Sequence, residues 1–310
     1  MLLNLLLLAA GLVVLTLGAE SLVRGSATLA LRLGITPLVV GLTVVAFGTS
    51  APELVVSVQA ALAGQDDIAA ANVVGSNIFN IGVILGLTAL LLPLTVHRDI
   101  LRRDLPLVIL VSLATLWLLQ DRELGRLAGL GLVSVLAGYL VLSVRQTRQA
   151  PGEPAQADAA IRGSVLRDVL YILVGLALLV IGSRLMVAAA ITLARVLGVG
   201  EAIIGLTIVA AGTSLPELAT SLAAALRRQP DLAVGNVVGS NLFNLLGILG
   251  IATLVSPLAP GALRWLDLGA MVLFALALLP LLISGRQLQR WEGALLLAGY
   301  GVYLALCWPR

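Results

Sequence analysis

The feature that most constrains this chain of 310 residues is a phrase that occurs twice. GLTVVAFGTSAPELVVS, Gly41 to Ser57, returns 164 residues later as GLTIVAAGTSLPELATS, Gly205 to Ser221. Each copy is followed by a second phrase, NVVGSNIFN (Asn72 to Asn80) and NVVGSNLFN (Asn236 to Asn244). The register holds without a gap from Gly41/Gly205 to Leu87/Ile251, and 29 of these 47 aligned positions are identical. Shared leucine content does not produce such a match; a duplicated unit does. Each copy carries a carboxylate, two hydroxyls and a proline inside a run apolar enough to enter a bilayer. An ionised carboxylate in such surroundings costs several kcal/mol even after relaxation, and its default reading is functional. Two of them in matched positions, Glu53 and Glu217, point to a cation site.

Composition identifies the solvent. Of the residues, 60% are hydrophobic and 11% charged, with a mean hydropathy of +1.08, whereas a soluble domain is roughly one-quarter charged. Several runs reach the ~20 apolar residues that span a bilayer, so a polytopic protein embedded in lipid is predicted. The net charge of +3 rests on 19 arginines and no lysine. These arginines speak to topology; no basic face interleaved with aromatics suggests nucleic acid. A single cysteine, Cys307, excludes an intramolecular disulfide and a cysteine-based metal centre. The opening MLLNLLLLAAGLVVLTLGAE lacks a basic n-region and a cleavage site, and is read as the first spanning helix.

The fold class predicted is an all-α membrane protein of about ten transmembrane helices. The first five are Leu2 to Leu33, Pro37 to Ala63, Ile68 to Leu92, Leu105 to Leu119 and Glu123 to Val144. The second five are Val165 to Leu197, Glu201 to Leu226, Leu232 to Val255, Trp265 to Ile283 and Trp291 to Trp308. The polar stretch 145–164, with Pro151, Gly152 and Pro154, divides repeat 1–144 from repeat 165–310. Five spans per half is odd, so the second copy enters the membrane in the opposite sense: an inverted-topology repeat, whose substrate sites lie near the midplane. With the N-terminus outside, the inside loops collect Arg98, Arg102, Arg103, Arg145, Arg227 and Arg228, while Asp66, Asp67 and Glu201 fall outside. That bias places both termini outside, in a plasma membrane or, in a bacterium, the inner membrane.

Thr49, Ser50 and Glu53 are spaced to share one face of a helix. Pro52 offers no N–H to the Gly48 carbonyl, so carbonyls near Ala46, Gly48 and Thr49 are expected to face a cavity, where unpaired backbone is tolerated at membrane depth. Pro216 repeats this around Ala210, Gly212 and Thr213, beside Ser214 and Glu217. The second phrase adds Ser76 with Asn80 and Ser240 with Asn244, each pair one helical turn apart. Gly75 and Gly239 are expected to let helices approach closely. The donors are all oxygen, which suits a hard cation: Ca²⁺ takes about 6–8 such ligands, whereas softer metals recruit imidazole or thiolate.

The paired GTSxPE and GSNxFN phrases resemble the alpha repeats of the sodium/calcium exchangers, in the cation/calcium antiporter superfamily. The resemblance implies Na⁺-driven Ca²⁺ antiport with no cofactor, and transport in place of enzyme chemistry. It makes Glu53 and Glu217 central ligands shared by Ca²⁺ and Na⁺. It assigns Thr49, Ser50 and Ser76 to one flanking Na⁺ site and Thr213, Ser214 and Ser240 to the other. The carbonyls of Ala46 and Ala210 assist, and Asn80 and Asn244 line the middle. Several members, potassium-dependent ones included, carry Asp where this chain has Asn80 or Asn244; two amides argue against K⁺ co-transport. The proton/calcium branch usually carries a GNxxE-type phrase, so GTSxPE favours Na⁺ as driver. A Ca²⁺/H⁺ antiporter on the same scaffold is the alternative, since crowded buried carboxylates hold protons tightly, followed by a cation channel. No protein partner is expected.

Other residues read structurally. Asn72 and Asn236 are expected to cap the third and eighth helices. Asn77 and Asn241 stay outside the ligand set. Gly82 and Gly86 suggest close helix packing, and His97 sits in a solvated loop among arginines. Glu20 and Arg184 hold equivalent places in the two long helices, which are candidates for a pair that slides to alternate access. Trp117, Trp265, Trp291 and Trp308 read as interface anchors.

Overall fold

A computed structural model describes residues 2–120, 123–149, 164–197, 210–261, 263–283 and 285–307. In the first half the helices are α1 (Leu2–Leu33), α2 (Pro37–Thr49), α3 (Ala51–Leu62), α4 (Asp66–Leu91), α5 (Leu105–Gln120) and α6 (Arg126–Gln149). In the second they are α7 (Val165–Val196), α8 (Ala210–Thr213), α9 (Leu215–Leu226), α10 (Pro230–Val255), α11 (Trp265–Ile283) and α12 (Arg290–Cys307). Six of the described helices are long and apolar enough to cross a bilayer, and α2 with α3, bent by 47°, passes as one broken span.

Local chemistry sets the helix ends. Gly34 stops α1 at φ +64, a left-handed conformation that glycine adopts freely. Thr36 then caps α2, accepting the Val39 N–H ahead of Pro37 in the first turn. Ser164 caps α7 in the same way through the Arg167 N–H. The proline of each repeated phrase falls in the first turn of α3 or α9, directly after a break at Ser50 or Ser214. These two serines have nearly the same backbone angles, φ −82, ψ 6 and φ −90, ψ 8.

The centre belongs to α4 and α10, whose apolar windows are 78% and 89% buried. The long helices α1 and α7 lie at the periphery, their most apolar stretches only 22% and 33% buried, and turn leucines outward. They run antiparallel along a glycine seam. A Cβ on Gly18 would come within 2.9 Å of the Gly175 carbonyl oxygen, and one on Gly175 within 2.6 Å of the Leu22 nitrogen. Seven residues, or about two turns, along each helix, Gly11 and Gly182 repeat the approach. The bare backbones let the two helices pack at a separation that no larger residue permits.

Contacts recur with the halves exchanged. Gly86 of α4 packs on Gly293 of α12, and Gly250 of α10 packs on Gly129 of α6 in the matching way. Leu94–Thr95 (β1) pairs antiparallel with Gln287–Leu288 (β2), and its counterpart is the bridge between Leu124 and Leu258. These short strand pairings are a departure from the purely helical expectation. They arise where a loop of each half meets the other and satisfies backbone groups that no helix covers.

Several boundaries move. α4 and α10 begin at Asp66 and Pro230, ahead of the expected Ile68 and Leu232, and α6 continues to Gln149, past the expected repeat end at 144. Residues 150–163, which hold most of the predicted linker, lie outside the described residues, as do Glu201 and Trp308. Gly239 packs closely on α2, its Cβ position 2.8 Å from the Leu42 carbonyl oxygen, and Gly75 has nothing within 4 Å among the described residues. Trp117, Trp265 and Trp291 are exposed on the periphery.

Candidate cation site

Both repeated phrases meet at the middle of the helix bundle. The break at Ser50 ends α2, and α3 restarts with Glu53 in its first turn, where a carboxylate suits the positive end of the helix dipole. α9 presents Glu217 likewise. Each glutamate is only 1% exposed, and each is held by a serine of the opposite repeat. Ser50 Oγ donates to Glu217 Oε1 at 2.8 Å, and Ser214 Oγ donates to Glu53 Oε1 at 3.0 Å. The two broken helices are thus cross-braced through their carboxylates.

The asparagines expected to cap α4 and α10 do something else. Because both helices start six residues earlier, Asn72 and Asn236 lie within them and turn toward α3 and α9. Asn72 Nδ2 donates to Ser57 Oγ at 2.8 Å and to the Glu53 carbonyl at 3.1 Å. Asn236 Nδ2 donates to Ser221 Oγ at 2.9 Å and to the Glu217 carbonyl at 3.3 Å. Each asparagine fixes the first turn from which a glutamate projects. Asn236 Oδ1 also lies 3.2 Å from the Thr49 hydroxyl. Identity of Ser57 with Ser221 and Asn72 with Asn236 inside the duplicated block was the available signal, since both partners repeat together.

The remaining expected ligands are placed as follows. Thr49 Oγ1 reaches the Val45 and Ala46 carbonyls at 3.1 and 3.3 Å. The Ala46 carbonyl, expected to be free, accepts the Ser50 N–H at 3.0 Å as well as the Thr49 hydroxyl. Gly212, whose carbonyl Pro216 cannot engage, receives the Ser183 hydroxyl of α7 at 2.6 Å. Asn80 Nδ2 donates to Asn241 Oδ1 at 3.1 Å, tying α4 to α10. Asn80 and Asn244 lie in wide π-helical turns, Asn80–Leu85 and Phe243–Ile248, a distortion that concentrates at functional positions. Ser76 is buried on α4, Thr213 is half-buried and Ala210 opens the described part of α8.

Five oxygens of this set are buried without a hydrogen-bond partner among the described residues: Glu53 Oε2, Glu217 Oε2, Asn80 Oδ1, Asn244 Oδ1 and Ser240 Oγ. A buried acceptor left unpaired costs about 1–3 kcal/mol, more when charged. A hard cation held by such oxygens would offset that cost, and the donor chemistry fits Ca²⁺ or Na⁺. A cavity of about 480 Å³ between α3 and α7 ends at Ala51, Pro52, Gly212 and Thr213, beside this cluster.

Comparison with known proteins fits this geometry. Residues 3–145 and 168–308 match the profile described as sodium/calcium exchanger protein. The chain is similar to the sodium/calcium exchanger MaX1 of Methanosarcina acetivorans, at 31% identity with 98% of each chain covered. It is also similar to the inner membrane protein YrbG of Escherichia coli, at 39% identity over 99% of this chain and 97% of that one. Among solved structures, the sodium-calcium exchanger NCX_Mj soaked with zero Na⁺ and Ca²⁺ superposes with a TM-score of 0.86, at 30% identity and 99% coverage of both chains.

Proposed function

This chain belongs to the sodium/calcium exchanger family, and from that membership and the crossed serine–glutamate bonds we propose that it exchanges Na⁺ for Ca²⁺ by alternating access. Members of the family are transporters, so the chain is a membrane cation/Ca²⁺ antiporter and not an enzyme. Ca²⁺ and Na⁺ are its substrates.

In this reading Glu53 and Glu217 are the ligands common to both ions, and Thr49, Ser50 and Ser76 with the Ala46 carbonyl serve one flanking Na⁺. Thr213, Ser214 and Ser240 with the Ala210 carbonyl serve the other, and Asn80 and Asn244 line the space between. Two carboxylates neutralise one Ca²⁺ or are neutralised by Na⁺, and a site that is not loaded keeps a charge too costly to occlude. Exchange is thereby favoured over leak. The antiparallel α1–α7 seam and the contacts repeated with the halves exchanged support ten spans in two inverted halves, and the arginine bias of the loops supports both termini outside. The peripheral α1 and α7 are the pair that slides past the core.

The observation that carries the proposal is the reciprocal bonding of Ser50 to Glu217 and Ser214 to Glu53 around unpaired carboxylate oxygens. Reconstituted protein should take up Ca²⁺ when an outward Na⁺ gradient is imposed at clamped pH. Uptake that follows a pH gradient and ignores Na⁺ would replace Na⁺ by H⁺ as the driving ion. Currents without any counter-ion requirement would make the protein a channel.

A further inference from the structure

The cavity beside the site has one charged residue among its described lining, Arg184 of α7. Its side chain is exposed and makes no ion pair among the described residues. Gln59 is the other long polar group there, and the rest of the wall is apolar or hydroxyl-bearing. A cation travelling through this cavity to Thr213 passes a fixed positive charge.

The equivalent position on the other long helix carries the opposite sign. Glu20 of α1 matches Arg184 in the repeat register, and it is engaged by Arg227 at the end of α9. The two sides of the molecule are therefore electrostatically unlike, although the ion site between them is built from matched residues. Beside the cavity stands a cation; where α1 meets α9 stands an acid with its own counter-charge.

We propose that Arg184 is a specificity-determining residue, which weakens cation binding from the cavity side and penalises Ca²⁺ more than Na⁺. The inference rests on the exchanger reading above. Coulomb energy scales with ion charge, so whatever factor Arg184 imposes on the half-saturating Na⁺ concentration, it imposes the square of that factor on Ca²⁺. Arg184 thus tilts competition at the shared glutamates toward Na⁺ on that side, without touching either ion. Glu20, freed from Arg227 when access alternates, presents an attractive charge on the other.

The test uses sided membrane vesicles, right-side-out and inside-out, with the wild type, Arg184→Gln, Arg184→Lys and Arg184→Glu. From the cavity side, Arg184→Gln should lower the half-saturating Ca²⁺ concentration about three- to tenfold and that of Na⁺ by the square root of the same factor. Arg184→Glu should extend both shifts, and Arg184→Lys should restore wild-type values. The shifts should shrink in high concentrations of an inert salt, because exposed charges are screened. Equal shifts for the two ions, shifts from the opposite side, or no shift at all would overturn the role of Arg184. If the wild type itself shows no Na⁺-dependent Ca²⁺ flux, the exchanger reading has failed instead.

Discussion

Ser50 gives its hydroxyl hydrogen to Glu217 across 167 positions of sequence, at 2.8 Å, and Ser214 returns the same bond to Glu53 at 3.0 Å. A buried carboxylate that loses such a bond keeps its desolvation penalty and loses about 1.5–3 kcal/mol of compensation. Ser50→Ala and Ser214→Ala should therefore weaken exchange by similar amounts, on the order of tenfold or more in apparent ion affinity. Flux assays in proteoliposomes check this. A large effect from one serine and none from the other would contradict the matched roles.

Glu53→Gln and Glu217→Gln should each abolish Ca²⁺ exchange while the protein remains folded. An amide preserves volume and the serine contact but halves the charge that balances a divalent ion. Monodisperse elution from a sizing column, together with absent flux, is the expected pair of results. Robust transport by either variant would remove that residue from the centre.

Asn236→Ala should cost more than Asn72→Ala. Both asparagines hold the first turn of a broken helix, but Asn236 is fully buried and also meets Thr49, whereas Asn72 is half-buried. A thermal-unfolding comparison in detergent should show the larger loss at Asn236, by roughly 1–3 kcal/mol, the range for an orphaned buried polar group. Equal losses would mean that the Thr49 contact contributes nothing.

Gly175→Ala should destabilise the protein, because its new Cβ falls 2.6 Å from the Leu22 nitrogen and 2.9 Å from the Gly18 carbonyl oxygen. Overpacking of this sort typically costs about 1–3 kcal/mol. Gly138→Ala is the control: the position is exposed on α6 and its Cβ meets nothing within 4 Å among the described residues, so the gain in helix propensity, up to about 1 kcal/mol, should leave stability level or improved. Melting curves of the two variants should move in different directions.

A flexible bifunctional crosslinker joining Glu20→Cys to Arg227→Cys should stop exchange if α1 slides against the core. Glu20 and Arg227 already touch, so the link traps a state that the protein visits. Cleaving the linker should restore transport. Undiminished flux in the linked protein would end the sliding hypothesis.

Some of this architecture could be read before any coordinates. The ranges predicted for α1 and α11 match those observed, because each is a long, predominantly apolar run. The breaks at Ser50 and Ser214 follow from prolines that cannot bond backward. Asn72 was legible as a repeated polar residue but not as a clamp: its cap reading depended on treating Asp66 and Asp67 as loop, and they form the first turn of α4.

By itself the sequence determined that two copies of one unit exist, that each carries a carboxylate between hydroxyls at a helix break, and that these lie in apolar surroundings. Those facts are local and written in residue order. Only the tertiary structure decided that each serine bonds the glutamate of the other copy, and that Arg184 lines a cavity while its counterpart Glu20 is paired. Both depend on how distant helices pack, and packing is a property of the assembled bundle that no single stretch encodes.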